Sequence, residues 1–281
     1  MVEKKGLGKA VGHAVLWFGI AIVLFPLYIA LVATTHTFDV LIGSTPLWFG
    51  SEFLKNFTTV LTQGLKAAGG IPVWVMMANS LVMALGIAIG KIAISITAAY
   101  AIVYFRFPGR ELCFVLIFIT LMMPVEVRIV PTFQVAANLN FIDSYLGLVL
   151  PLIASATATF LYRQMFMTIP AELLEAARID GAGPWRFFVD VVLPLSRTNT
   201  AALFVVLFIY GWNQYLWPLL VTNQEGMYTI VMGIQRMVNI PDAVPEWNLI
   251  MAVALLGMLP PLLVVLGMQK LFVRGLVETE K

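Results

Sequence analysis

Charge is scarce in this chain: of 281 residues, 60% are hydrophobic and only 11% are Asp, Glu, Lys or Arg. Soluble globular proteins carry about 25% charged residues, so an ordinary water-facing domain is excluded. Cysteine is nearly absent; the single Cys113 lies in an apolar block, forms no internal disulfide and reports no redox compartment. Histidine is limited to His13 and His36, isolated near the two ends of the first apolar block. Neither a metal cluster nor a Ser/His/Asp or Cys/His set can be assembled from this stock. A nucleotide-binding loop is also missing. The stretch GIAIGKI has three residues between Gly86 and Gly90 where the loop needs four, and Ile92 stands where Ser or Thr belongs. It reads as a small-xxx-small helix-packing site, and any ATP must be used by another chain. Apart from Glu126 near an outer end, the apolar blocks lack acidic residues, and no internal repeat is evident, which argues against an ion-coupled carrier.

What is present is apolar sequence in blocks long enough to cross a bilayer, which takes about 20 residues each. Six spans are expected, at about 11–33, 73–104, 112–130, 145–162, 200–221 and 249–271. The fold class is therefore all-α integral membrane, one transmembrane domain over residues 1–281. Lys4, Lys5 and Lys9 precede the first span, but its length and Pro26 mark a retained helix rather than a signal peptide. The second span exceeds one crossing and must tilt or project. Lys4, Lys5, Lys9, Arg106, Arg110, Arg163, Arg178, Arg186, Arg197, Lys270, Arg274 and Lys281 fall on one side, against Lys55, Lys66, Arg128 and Arg236 on the other. The positive-inside rule makes the first side cytoplasmic, with both termini, the 105–111 turn and the 163–198 loop. These basic residues are membrane anchors, and nucleic-acid binding has no support. Trp74, Trp212, Tyr215, Trp217 and Trp247 are expected as an aromatic belt at the outer ends.

The long cytoplasmic loop carries IPAELLEAARIDGAGPWRFFVDVVLPL. Pro170 suits a first helical turn, and Glu172, Glu175 and Arg178 complement the helix dipole. Gly181 and Gly183 provide a stop. Pro184 starts a second helix bearing Trp185, Phe187, Phe188 and Val191 to Leu193, expected to end at Pro194. Such a pair either braces the membrane surface or docks a partner through the small residues Ala176, Ala177, Gly181 and Ala182. Residue types alone leave both open.

The segment EAARIDGAGPWRFFVDVVLP resembles the EAA loop of binding-protein-dependent ABC importer permeases, with Glu175-Ala176-Ala177, Asp180-Gly181-Ala182 and Leu193-Pro194 in register. Thr198 departs from the family pattern, where many members have proline. MMPVEVRIVP, IDSYLGLVLPLIASATATFLYRQMF, FIYGWNQYLWPLL and LPPLLVVLGMQKLFVRGL are similar to the carbohydrate-uptake subgroup, so the likeness runs from about residue 75 to the end. The resemblance implies a type I importer permease whose 170–194 loop is a coupling helix. In it Glu175, Ala176, Ala177, Asp180, Gly181 and Ala182 would meet the ATPase. The implied partners are a homologous second permease, two ATPase subunits and a periplasmic binding protein, in a bacterial inner membrane. ATP hydrolysis would fall to the separate subunit, this chain being no enzyme and needing no cofactor. The implied substrate is glycerol phosphate or a glycerophosphodiester, with a sugar or oligosaccharide as the alternative.

Charged groups within a bilayer cost about 2.5–3.5 kcal/mol on insertion scales and usually face a cavity or a partner. Lys91, in mid-span, and Glu126 and Arg128, between Pro124 and Pro131, are the charged candidates for a substrate path. Two prolines so close imply a broken or kinked helix end, and irregular backbone at that depth is tolerated mainly where it lines protein or water. The plain alternatives are an interhelical pair for Lys91 and interfacial hydration for Glu126 and Arg128, which stand two apart and do not face each other. Asn79, Ser80, Asn213 and Gln214 either meet substrate hydroxyls or bond helix to helix.

Overall fold

The computed structural model describes residues 7–64, 69–120, 125–241 and 243–277, with side chains omitted for 7, 125–126 and 270–277. Every regular element among the described residues is helical. In chain order these are α1 (Leu7–Ala33), α2 (Phe38–Gly43), α3 (Phe53–Thr62), α4 (Val73–Tyr104), α5 (Arg110–Ile119), α6 (Val125–Asn138) and α7 (Tyr145–Val149). There follow α8 (Ala156–Met167), α9 (Ala171–Ile179), α10 (Pro184–Leu195), α11 (Arg197–Trp212), α12 (Leu216–Val221), α13 (Ile230–Val238) and α14 (Trp247–Val277).

Among the described residues three segments are long and apolar enough to cross a membrane unaided: Gly8–Ala33, Val73–Tyr104 and Trp247–Gln269. Two bent pairs qualify jointly, Tyr145–Leu152 with Ala156–Met167 at 47° and Pro184–Leu195 with Arg197–Trp212 at 71°. The expected span at 112–130 is divided between α5 and α6, with Pro124 outside the described residues. The expected span at 200–221 is also divided. Its helix closes at Trp212 with Asn213 as C-cap, and α12 begins afresh at Leu216. Pro218 is the physical reason, because it has no N–H for the carbonyl four residues back and its ring clashes there, so a continuous helix through Gln214 is disfavoured.

The second helix of the 163–198 loop departs from expectation as well. It passes Pro194 and ends at Leu195, after widening to a π-helix over Phe188–Val192. A wide turn immediately before a proline relieves the clash its ring would make in a regular helix. The Ser196 hydroxyl then bonds the Val192 carbonyl at 2.5 Å, and the chain turns by 71° into α11.

The chain forms two compact units, Met1–Trp74 with Gly233–Met258, and Val75–Met232 with Leu259–Lys281. In the first, the buried Asn56 amide donates to the carbonyls of Thr34 (2.8 Å) and His36 (2.9 Å), and accepts from Asn248 Nδ2 (3.1 Å). Most large side chains of α1 before Tyr28 are exposed, as in a helix clothed by lipid.

In the second unit, close approach is set by glycine. A Cβ on Gly90 would lie 2.6 Å from Ile153 Cγ2, one on Gly86 2.9 Å from Val149, and one on Gly211 2.9 Å from the Ala84 backbone. The 86–92 stretch is thus a helix-packing site, as expected. Asn79 and Ser80 are structural. The Asn79 amide donates to Gly226 and Tyr228 carbonyls at 2.8 and 3.0 Å and accepts from Tyr145 Oη at 2.7 Å, while Ser80 Oγ accepts from Ile230 N–H at 2.8 Å. The expected aromatic belt is only partial. Trp74 and Trp247 are exposed, but Trp212 and Trp217 are buried. Trp212 stacks on Phe208, and Trp217 donates its indole N–H to the Gly147 carbonyl at 3.0 Å.

Candidate functional site

The hairpin α9–α10 is built by local rules. Pro170 is the N-cap of α9, Glu172 lies in its first turn and Arg178 in its last. At its end the Gly181 N–H bonds the Arg178 carbonyl (3.1 Å) and the Ala182 N–H bonds the Ala177 carbonyl (2.8 Å). With Gly181 at φ +73° this is a Schellman closure, which needs glycine at that position. Gly183 has an extended backbone and caps α10, with Pro184 as its first helical residue. The stop is therefore Gly181 alone, and Gly183 is a start.

One face of the hairpin is seated and the other is bare. Phe187, Phe188 and Val192 join Ile96, Ala99 and Tyr100 of α4 and Tyr162 and Phe166 of α8 in one buried cluster, with Leu174 and Ala177 packed against it. Tyr100 donates its hydroxyl to the Pro184 carbonyl at 2.6 Å and packs against Phe188 at a tilt of 51°, centroids 4.8 Å apart; Tyr104 meets Phe187 edge to face at 5.3 Å. Glu175, Ala176, Asp180 and Gly181 face outward, beside Ile179, 86% exposed, and Trp185, 71% exposed. Of the six hairpin residues singled out, Ala177 and Ala182 turn toward the body and the other four toward solvent.

A second site lies along α4. Lys91, Arg128, Asn213 and Gln214, chosen from sequence for their polarity alone, line one cavity of about 390 Å³ together with Thr132, Tyr210, Tyr215 and Trp217. Lys91 is 7% exposed, and its ammonium sits 3.8 Å above the Tyr210 ring, a cation–π contact. Among the described residues no carboxylate pairs with it. Gln214 Nε2 donates to the Tyr210 carbonyl at 3.1 Å. Arg128 is exposed at the cavity, and the side chain of Glu126 lies outside the described residues. Sequence reading passed over Tyr100, Tyr104 and Tyr210. The first two stand four apart on one helical face, a spacing that would have flagged them; Tyr210 had no such signal.

A membrane-length helix thus carries a cation, Lys91, into a cavity that Arg128, Asn213 and Gln214 complete from other segments, and an exposed hairpin is seated on its end. Residues 91–278 match the family described as binding-protein-dependent transport system inner membrane component, and the chain belongs to it. Over 282 residues and 100% of both chains it is 53% identical to the sn-glycerol-3-phosphate transport system permease protein UgpE of Rhizobium meliloti (strain 1021). Proteins of the same name from Agrobacterium fabrum and Salmonella choleraesuis are each 54% identical to it, again over 100% of both chains. Among solved structures, a bacterial ABC transporter involved in the import of the acidic polysaccharide alginate matches 96% of this chain and 98% of its own, with TM-score 0.80 at 18% identity. At that identity the likeness speaks for the fold alone. The chain is thus an inner-membrane permease component of an ABC importer, a transport subunit and not an enzyme, and such a component works with a partner permease, an ATPase and a binding protein.

Proposed function

We propose that this chain forms one half of the path by which sn-glycerol-3-phosphate, or its diesters, enters the cell. The observation that carries the substrate is the end-to-end identity of 53–54% to permeases named for it. The cavity supplies matching chemistry. A phosphate monoester carries up to two negative charges, and Lys91 and Arg128 offer two cations beside Asn213 and Gln214, whose amides suit hydroxyls. A homologous second permease completes the path, two ATPase subunits drive it, and a periplasmic binding protein delivers the ligand. Residues 1–281 act as one transmembrane domain of six spans with both termini cytoplasmic, which the excess of Lys and Arg on one side supports.

Coupling runs through the hairpin. Its outward face, with Glu175, Ala176, Asp180 and Gly181, docks the ATPase, while Ala177 and Ala182 hold it to the body. Phe187 and Phe188 tie the hairpin to Tyr100 and Tyr104 on α4. Lys91 lies on the same helix, nine residues before Tyr100, an axial distance of about 14 Å. A shift of the hairpin is thereby delivered to the cavity by one rigid element.

Proteoliposomes holding the complete system test this reading. Labelled sn-glycerol-3-phosphate should accumulate only with internal ATP and loaded binding protein, and an ionophore should leave uptake intact. Collapse of uptake under the ionophore overturns the energy source. A cognate binding protein stabilised in a thermal-shift screen by sugars and not by glycerol phosphate overturns the substrate.

A further inference from the structure

Beneath the hairpin lies a second cleft, of about 350 Å³, that the transport reading does not use. Tyr100, Tyr104, Phe105 and Phe187 supply its aromatic lining, and Arg106 and Arg178 bring guanidinium groups to it from different elements, just past α4 and in the last turn of α9. Among the described residues no acidic side chain lines it. Among the described residues neither guanidinium has an ion-pair partner within 4.0 Å. The tyrosine hydroxyl protons are already committed, to the Pro184 carbonyl at 2.6 Å and the Phe166 carbonyl at 3.3 Å. The free donors of the cleft are therefore two guanidinium forks, whose planar N–H pairs match phosphate oxygens.

Position selects among anions. Tyr104 is the last residue of a 32-residue helix, about 48 Å long against a hydrocarbon core of about 30 Å, so its end stands at headgroup level. Phe105 and Phe107, both exposed, flank Arg106 there, the mixture of aromatic and basic side chains found where a protein meets headgroups. Basic pockets between membrane helices are built for acidic headgroups.

We propose that this cleft binds the phosphate headgroup of an anionic phospholipid, which bridges Arg106 to Arg178 and so fastens the hairpin to the end of α4. Lipid charge then sets how firmly the hairpin is seated. The proposal rests on the chain's being a membrane permease and is independent of which substrate it carries.

The complete importer, with second permease, ATPases and binding protein, is reconstituted in nanodiscs of phosphatidylcholine with and without phosphatidylglycerol. ATP hydrolysis stimulated by loaded binding protein should rise several-fold with phosphatidylglycerol in the wild type. Arg106→Gln should lose that rise while matching the wild type in phosphatidylcholine, and Arg106→Lys should recover part of it. Native mass spectrometry should find fewer retained phosphatidylglycerol molecules on the Arg106→Gln complex. An undiminished lipid response in Arg106→Gln overturns the proposal. So does an equal loss of activity in both membranes, which would assign Arg106 to a protein partner. Stimulation by dissolved inorganic phosphate in phosphatidylcholine would name a soluble ligand and overturn it as well. If no stimulation occurs in either membrane, the transport reading fails first, and the retained-lipid count still decides the site.

Discussion

At the scale of single residues, Lys91 sets two free energies against each other. Burying its ammonium in a span costs about 2.5–3.5 kcal/mol, and the Tyr210 ring at 3.8 Å offsets about 0.5–2 kcal/mol of that. Packing alone does not explain a charge held at such a loss. Lys91→Met keeps most of the volume and removes the penalty. The thermal midpoint of the purified importer should therefore hold or rise, while uptake of the proposed substrate falls by about tenfold or more, the equivalent of about 1.4 kcal/mol. Unchanged uptake would reduce Lys91 to a packing residue. Lys91, Arg128, Asn213 and Gln214 were legible in the sequence because polarity in an apolar setting is conspicuous. Tyr210 was not, since tyrosine is common in spans. Trp212 and Trp217 were misread because closeness to a span's end does not say which way an indole points, and both point inward.

Among elements, the hairpin α9–α10 is the one whose construction can be probed without disturbing its neighbours. Among the described residues nothing lies within 4 Å of a Cβ built on Gly181 or on Gly183, so space does not distinguish the two. Backbone does. Gly181 sits at φ +73° and Gly183 at φ −70°. A non-glycine residue in the left-handed region costs about 1–2 kcal/mol, and an extended residue costs nothing comparable. Gly181→Ala should lower uptake per ATP hydrolysed, with the protein still inserted, whereas Gly183→Ala should leave that ratio near wild type; equal ratios in the two variants would remove the Schellman closure from the coupling mechanism. Packing between helices predicts a different phenotype. Gly211→Ala drives a methyl against the Ala84 backbone, which cannot turn aside. An overpacking cost of about 1–3 kcal/mol should appear as a lower thermal midpoint. Caps were legible at this scale because Pro170, Gly181 and Pro184 act within one turn. The π-helix before Pro194 and the 71° bend after Leu195 were not, because whether a proline ends, widens or bends a helix depends on what packs around it.

Across the whole molecule, composition and the spacing of apolar blocks carried the architecture, and the division into two compact units was invisible to them, since it depends on contacts between distant segments. What belongs to this scale is the proposed communication along α4, the helix that bears both the hairpin's anchors and the cavity's cation. Tyr100→Phe keeps the ring packed on Phe188 and removes only the hydroxyl bond to the Pro184 carbonyl, a loss of about 1 kcal/mol. Lys91 is about 14 Å away along the axis, beyond the 7–10 Å within which side chains couple directly. The stabilities of Tyr100→Phe and Lys91→Met should therefore add in the double variant. Uptake should not add. If α4 transmits the hairpin's movement to the cavity, removing Lys91 leaves that movement nothing to act on, and Tyr100→Phe should then cost little further. A double-mutant cycle measured on both thermal midpoint and uptake separates these quantities. Additivity of the uptake terms to within about 0.5 kcal/mol would mean that hairpin and cavity act independently, and that coupling reaches the path by another helix.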